Sequence, residues 1–327
     1  MRRAYGCATI RPRPTRYSRG LPMDGSPLRQ RARAETRLGM AEMPLPAPGR
    51  LAALAILTRI EGAGYRPLGA AMSLDDRGNI RGHLSAGCID ADIEHHLNKV
   101  AQDGCTRHLR YGEGSPFIDL VLPCGGALDI TVIPAPPVAD QERMAEAIDA
   151  RMPLSLHLSG TQGTLTLEPQ PETDLSLHLV PEPRFVIFGT GVEAETFAQL
   201  AAGAGYQADL IMPDPVSLPG VTSHEFRRSN PLGDIAPDPR MAALLFFHDH
   251  EREIPILAQL LESDAFFIGA QGSRRTARQR AVALRRKGLS ESAISRLRGP
   301  VGLIEQAREP RLLAVSVLAE VLQLARV

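Results

Sequence analysis

The residues with the clearest potential for chemistry are Gly189 and Gly191, which follow an apolar run over 185–188 and precede a segment of helical spacing. Glycine permits a tight turn and a close approach of backbone to ligand, and Ala194 matches the third small residue of a G-x-G-x-x-G/A fingerprint. The N–H groups that open such a helix bind phosphate. A second apolar run leads to Asp214, where a carboxylate can hydrogen-bond a ribose. The pattern predicts a Rossmann-like βαβ unit with a phosphate-bearing ligand; a βαβ unit with an empty turn is the alternative.

A second glycine loop follows the apolar segment AFFI and reads GAQGSRR. Gly269 and Gly272 free its geometry, Ser273 supplies a hydroxyl, and Arg274 and Arg275 supply planar guanidinium groups suited to phosphate. Ligands of doubly wound sheets lie outside the carboxyl ends of the strands. The loop is therefore a predicted phosphate site, and a surface loop with solvated arginines is the alternative.

A third predicted strand, AALLFF, ends at His248-Asp249-His250. Histidines two residues apart on a strand share a face, so a metal site is conceivable. No third ligand at obvious spacing supports one, and a polar strand end is the more common arrangement. We therefore predict no metal site.

The four cysteines, Cys7, Cys88, Cys105 and Cys124, contain no C-x-x-C pair, which argues against a zinc ribbon. Cys88 ends the segment SAGC before a predicted helix, where a thiol has a lowered pKa. Cys124 lies in the glycine turn PCGG. These two thiols could converge on a ligand or handle sulfur, or they could both be packed; Cys105 is interpreted as packing.

Composition excludes several classes of protein. The 327 residues suffice for two domains, and the net charge of +0 argues against a general nucleic-acid binder. No apolar run approaches the roughly 20 residues that cross a bilayer. The scattered cysteines and the lack of a secretory segment predict a cytoplasmic protein with reduced thiols.

The first forty residues differ from the rest because ten arginines face only Asp24 and Glu35. With interspersed proline and glycine and no apolar period, 1–46 is predicted to be a disordered basic arm. A transit peptide is one interpretation. A true start at Met23, Met40 or Met43 is another.

The remaining pattern predicts an α/β protein: a C-terminal Rossmann-like, doubly wound parallel sheet with a smaller N-terminal α+β domain. The N-terminal domain is predicted over 47–136, a connecting helix and hairpin over 137–180, and the Rossmann-like domain over 181–327.

Taken in order, these blocks resemble the XdhC/CoxI family of xanthine dehydrogenase accessory proteins. The resemblance covers the chain from about Leu51 to Val327. It is carried by EGAGYRPLGAAM (61–72), GHLSAGC (82–88), CGG (124–126), FGTGVEA (188–194), FFHDHERE (246–253) and DAFFIGAQGSRRTARQR (264–280). Four blocks depart from the family pattern: Val192 replaces a usual His, Ala86 a usual Gly, and GLIEQA (302–307) a usual GLDIGA, and Arg298 and Gly299 stand where a His usually precedes Pro-Ile-Gly.

The resemblance implies a chaperone that binds molybdenum cofactor, protects it during sulfuration and inserts it into a molybdenum hydroxylase such as xanthine dehydrogenase, with no turnover of its own. It implies a cysteine desulfurase as a second partner; we also expect a homo-oligomer, no nucleic acid and no membrane. Cys88 and Cys124 are expected near the metal-dithiolene end. The two glycine loops are expected near the phosphate, and a nucleotide at Gly189–Gly191 is left open.

Two other functions stay open on the sequence. An NAD(P)-dependent oxidoreductase would hold the ribose with Asp214 and use a proton donor such as His248, but no acid–base pair around a substrate pocket is evident. A pure scaffold would recruit a sulfurtransferase to the target enzyme and bind no small molecule.

Overall fold

The structure is a computed structural model that describes residues 34–62, 64–115, 126–247 and 250–326. The chain divides into two compact units, with the boundary between Val180 and Pro181. Within the described part, no helix has the length and apolar character needed to cross a membrane.

In its described residues, the N-terminal unit contains two sheets and two α-helices. Its elements are, in chain order, β1 (Ala34–Gly39), a 3-10 turn (Met40–Glu42), β2 (Leu51–Glu61), β3 (Ala71–Asp75), β4 (Ile80–Arg81), α1 (Asp90–Asp103), β5 (Arg107–Gly112), β6 (Ala127–Pro134), α2 (Val138–Asp149), β7 (Leu154–Ser159), β8 (Thr164–Thr166) and β9 (Leu175–Val180). One sheet has the strand order β4-β3-β2-β6-β5 and is antiparallel; the other has the order β1-β9-β7-β8.

Strand β2 lies at the centre of this unit and is buried on both faces. Side chains alternate across a strand. Ala55 and Leu57 therefore face the core under α1, while Leu54 and Ile56 face the core shared with the second sheet. The five consecutive buried residues 53–57 leave no polar face, so LAALAIL is a continuous apolar run in the sequence.

The structure differs from the predicted division of the chain in two places. Part of the predicted arm, Ala34–Gly39, is a strand that pairs in parallel with β9 over 175–180. The segment AETRLG is mostly polar and only its Leu38 is buried, so the sequence does not show the apolar alternation that predicts a strand. The helix and hairpin predicted as a connector over 137–180 belong to the compact N-terminal unit, because Leu156, Leu177 and Met144 share one core with β2.

Cys105 is disulfide-bonded. The expectation of a packed, reduced thiol is therefore wrong for this residue. Sequence spacing alone offered no sign of it, because a disulfide depends on which loops the fold brings together.

The C-terminal unit is a doubly wound α/β domain. Its elements are β10 (Arg184–Gly189), α3 (Val192–Gly203), β11 (Gln207–Met212), β12 (Val221–Glu225), β13 (Met241–Phe246), α4 (His250–Leu261), β14 (Phe267–Ala270), α5 (Arg274–Arg286), α6 (Glu291–Ser295), β15 (Leu297–Arg298) and α7 (Pro310–Leu324). The described strands form one parallel sheet in the order β12-β11-β10-β13-β14-β15. This is the 3-2-1-4-5-6 order of dinucleotide-binding folds.

Helices cover both faces of this sheet. α3 and α7 pack over one core, around Phe185 and Ile187, and α4, α5 and α6 pack over the other, around Val186 and Phe188. The predicted fold class is confirmed. Strand β12 was missed, because prolines surround it and its residues are only partly buried.

Candidate functional site

Two glycine turns leave the same edge of the parallel sheet. The first joins β10 to α3 and the second joins β14 to α5, with β13 between the two strands. The turn that ends β13 includes His248 and Asp249, which lie outside the described residues. Among the residues that the structure describes, no cluster of three or more His, Cys, Asp or Glu side chains could hold a metal.

The β10–α3 turn owes its glycines to packing and backbone shape. A Cβ on Gly189 would lie 2.9 Å from the Phe246 Cβ and 3.1 Å from the Ala194 Cβ. Ala194 is fully buried between the helix and the sheet. Gly191 has a φ of +90° and opens α3, so a side chain there would be strained. The fingerprint therefore produces the predicted strand–turn–helix geometry.

The charge at this turn is negative. Glu193 and Glu195 both lie in the first turn of α3, and Val192 beside them is 56% exposed. Carboxylates at a helix N-terminus already interact favourably with the helix dipole, so they compete with an incoming phosphate. Asp214 is exposed two residues beyond the end of β11, at the position predicted for a ribose acid.

The β14–α5 turn carries the opposite charge. Ser273 caps α5, since its hydroxyl accepts a hydrogen bond from the Thr276 amide at 3.1 Å. Arg274 and Arg275 occupy the first turn of the helix, where the structure places no acidic residue. Gly272 has a φ of +139°, which only glycine adopts without strain. Two cations at the positive end of a helix are unfavourable for the helix alone but favourable for binding an anion.

Gly269 has a different role from the one predicted. It lies within β14, and a Cβ there would come within 2.6 Å of both Phe267 and Val301. Packing therefore accounts for this glycine, and its neighbours in the turn provide the surface that a ligand could reach.

A buried ion pair supports the β14–α5 turn. The Arg280 guanidinium donates to both carboxylate oxygens of Glu253, at 2.6 and 2.9 Å, and both side chains are at most 2% exposed. It also donates to the backbone oxygen of Gln271 at 2.5 Å. Because α4 supplies Glu253 and α5 supplies Arg280, the pair ties the turn to two helices. Neither residue was predicted from the sequence to have a role.

An open pocket of about 810 Å³ lies between this turn and the segment that precedes α7. One wall is 271–274 and the other is 300–308. Arg274 at its rim lies 3.8 Å from the exposed carboxylate of Glu305. The side-chain oxygen of Gln271, which lines the pocket, is buried and has no hydrogen-bond partner among the described residues.

The second wall is held by α7. The Ser316 hydroxyl accepts from the Ile304 amide at 2.7 Å, and the Glu320 carboxylate accepts from the Gly302 amide at 2.6 Å. Gln306 has a left-handed φ of +56°, at a position where GLDIGA has glycine. GLIEQA therefore keeps a left-handed bend without the glycine.

In the N-terminal unit, Cys88 lies on an ordered turn just before α1. The Asp90 carboxylate accepts from the Ser85 amide at 2.9 Å and from the Ser85 hydroxyl at 2.8 Å. That hydroxyl in turn accepts from the Gly87 amide at 3.0 Å. Cys88 is exposed and has a free thiol, so the alternative that it is packed is wrong.

The topology brings the loops that follow β2, β4 and β5 to one end of the five-stranded sheet. Glu61 ends β2 and pairs with Ala127 at the start of β6, and Gly112 ends β5 beside it. The hairpin β3–β4 returns the chain to this end before 82–89. Cys124 itself lies outside the described residues, so its predicted convergence with Cys88 stays a prediction.

Side-chain bonds connect the loops at this end. The buried Tyr111 hydroxyl donates to Asp92 in the first turn of α1 at 2.6 Å. Burial, and then this bond, raise the pKa of Tyr111 well above its usual range. The Arg110 guanidinium donates to Glu61 at 2.8 Å and lowers the pKa of that carboxyl. These bonds fix β2, β5 and α1 relative to one another.

The fold and the two turns define a class of protein: a Rossmann-like unit with a basic, phosphate-suited turn, joined to an α+β unit with an exposed thiol. Two family models match the chain, the "XdhC Rossmann domain" over 185–321 and the "XdhC and CoxI family" over 46–112. The chain belongs to the XdhC and CoxI family.

Named relatives support this assignment. The chain is 33% identical over 279 residues to the molybdenum cofactor insertion chaperone PaoD of Escherichia coli, covering 84% of this chain and 83% of PaoD. It is 24% identical over 316 residues to a probable xanthine dehydrogenase subunit of Bacillus subtilis, covering 83% of this chain and 92% of that protein. A crystal structure described as a xanthine dehydrogenase from Bacillus halodurans has the same fold, with a TM-score of 0.67 and 21% identity over 84% of this chain and 92% of that one.

Proposed function

We propose that this protein is a chaperone that binds molybdenum cofactor and inserts it into a molybdenum hydroxylase such as xanthine dehydrogenase. The relation to PaoD supports the cargo and the role. The observation that carries the proposal is the basic turn before α5, with Arg274, Arg275 and the pocket beside it. The cargo is a pterin dithiolene with a terminal phosphate, so it brings an anion that this turn can hold.

The phosphate end of the cargo is assigned to 272–275. The amides that open α5 and two guanidinium groups provide charge-assisted hydrogen bonds. The pocket also offers apolar surface from Val301 and Leu313 for the flat pterin. The unpartnered oxygen of Gln271 can accept from an N–H group of the heterocycle.

The thiol of Cys88 is assigned to the metal-dithiolene end, together with Cys124. Its support is exposure on a turn that hydrogen bonds hold in place. The finer steps of the proposal are protection of the cofactor during sulfuration and receipt of sulfur from a cysteine desulfurase. A nucleotide at Gly189–Gly191 is not part of the proposal, because two carboxylates occupy that helix N-terminus.

The test is retention of purified molybdenum cofactor, measured by equilibrium dialysis. The double variant Arg274→Ala/Arg275→Ala should bind at least about 100-fold more weakly, since each lost charge-assisted hydrogen bond costs roughly 1.5–3 kcal/mol. It should also fail to reconstitute cofactor-free xanthine dehydrogenase at concentrations where the parent succeeds.

Arg143→Ala is the matched control. Arg143 is 56% exposed and lies 3.7 Å from its nearest carboxylates, so its loss should leave retention unchanged. Cys88→Ala tests the metal end. If the double variant and Cys88→Ala both retain the cofactor as well as the parent does, the assignment fails. Titration with NAD gives a separate readout: micromolar binding with hydride transfer would favour an oxidoreductase.

A further inference from the structure

Helix α5 carries more positive charge than its structural partners neutralise. Arg280 is paired with the buried Glu253, and Arg285 donates to Glu291 at 2.5 and 2.9 Å. Three exposed arginines of the helix have no carboxylate partner among the residues that the structure describes: Arg275, Arg278 and Arg286. Their charge is available to a binding partner.

An apolar groove runs beside two of these arginines. It has a volume of about 530 Å³ and is lined by Ile254 of α4 and by Val282 and Ala283 of α5. Val282 is 44% exposed. Arg278 and Arg286 lie one turn on either side of Val282 and also line the groove. Guanidinium groups thus flank an apolar floor along one helix face.

From this arrangement we infer that the groove docks an acidic amphipathic helix of a partner protein. An apolar stripe of that helix would cover Val282 and Ile254, and its carboxylates would meet Arg278 and Arg286. Helix-in-groove recognition uses this combination of apolar anchors and complementary charge. The face over 278–286 spans roughly 13 Å, so the docked segment is about two to three turns long.

The charge pattern disfavours a second copy of this chain as the occupant. A two-fold interface places the same surface on both subunits, so it would bring arginines against arginines. Like charges placed together across an interface cost several kcal/mol. An acidic helix from another protein removes that cost.

This docking face goes beyond the proposed cofactor site and stands without it. It uses 278–286, whereas the phosphate assignment uses the first turn of α5 and the pocket against 300–308. Variants of the groove should therefore retain cofactor as the parent does, and the two proposals can fail separately.

The experiment measures binding of a fluorescent helical peptide of about 14 residues, with leucine on one face and glutamate on the other, to the full chain by anisotropy. The parent should bind at micromolar concentration at low salt and more weakly at high salt. Arg278→Glu/Arg286→Glu and Val282→Asp should each weaken binding at least about tenfold. Arg278→Lys/Arg286→Lys should stay within about threefold of the parent.

Three outcomes would overturn the inference. The first is that the parent does not bind the peptide, that the charge-reversed variant binds it as well as the parent does, or that the parent binds a peptide with lysine in place of glutamate equally well. The second is self-association of the parent that Val282→Asp abolishes in sedimentation, because a second copy then occupies the groove. The third is stronger binding of phosphatidylserine vesicles than of the peptide, lost in the same variants.

Discussion

The two glycine turns of the Rossmann-like unit both join a strand of the parallel sheet to a helix, and they carry opposite charges. The β10–α3 turn carries Glu193 and Glu195 in the first helical turn, whereas the β14–α5 turn carries Arg274 and Arg275. In each turn, close packing requires one glycine (Gly189 or Gly269) and a positive φ requires another (Gly191 or Gly272). The glycine pattern therefore reports the geometry of a turn, and the charges of the first helical turn report what the turn can bind.

The turns also differ in how they are supported. The β14–α5 turn is supported by the buried ion pair of Glu253 with Arg280, and the Arg280 guanidinium also donates to the backbone oxygen of Gln271. Beneath the β10–α3 turn lie apolar contacts of Gly189 with Phe246 and Ala194. The turn that carries two cations is thus held by directional bonds, and the other is held by close packing.

The largest expected effect comes from removing the ion pair under the basic turn. Arg280→Met removes the guanidinium that donates to both oxygens of the buried Glu253 carboxylate, so the free energy of unfolding should fall by about 3–5 kcal/mol. Urea denaturation of the full chain measures this. Amide hydrogen exchange should rise over 271–276 more than over 189–195.

Arg227→Met is the control for that variant. Arg227 is 70% exposed and pairs with Glu225 at 2.9 Å on the surface, where an ion pair is worth about 0–1 kcal/mol. A loss below about 1 kcal/mol in Arg280→Met would show that the ion pair does not support the turn.

A smaller effect is expected at the other turn. Gly189→Ala places a Cβ within 2.9 Å of Phe246, so the free energy of unfolding should fall by about 1–3 kcal/mol while cofactor affinity stays unchanged. Gly203→Ala is matched to it, because a Cβ there meets nothing within 4 Å and should slightly stabilise α3. A loss of affinity in Gly189→Ala beyond about threefold would place the β10–α3 turn in the binding site.

The smallest effect tests the acidic helix start directly. Glu193→Gln/Glu195→Gln should lower the free energy of unfolding by about 0.3–1 kcal/mol per carboxylate, as favourable interactions with the helix dipole are lost. Cofactor affinity should not change. Glu142→Gln, an exposed residue in the middle of α2, provides the comparison. If neutralising 193 and 195 raises cofactor affinity, the first turn also binds phosphate and the contrast between the turns disappears.

Much of the fold could be predicted because its strongest signals are local. The buried strands β2, β10 and β13 are continuous apolar runs, and the hairpin at 75–78 has its turn residues between two strands. Strand β1 could not be predicted, because it gains its stability by pairing with β9, more than a hundred residues away, and only Leu38 is buried.

The candidate site was only partly predictable for a related reason. The loop residues Gly272, Ser273 and Arg274 were identified because glycine, hydroxyl and guanidinium groups directly follow an apolar run in the sequence. The opposite wall at 300–308 and the Glu253–Arg280 pair were not identified, because long-range packing alone brings them to the turn. Glu253 lies in the charged segment HERE at the start of α4, so its sequence neighbours gave no sign that it is buried.

The hairpin at the far end of the five-stranded sheet has a practical consequence. Asp75 accepts hydrogen bonds from Asn79 and from the Arg77 amide, which lower its pKa to about 2, so the turn stays closed in ordinary buffers. Arg77 and Gly78 project into solvent. A short epitope or an affinity handle spliced between them would lie away from the Cys88 loop, which makes this tip a suitable place to immobilise the protein.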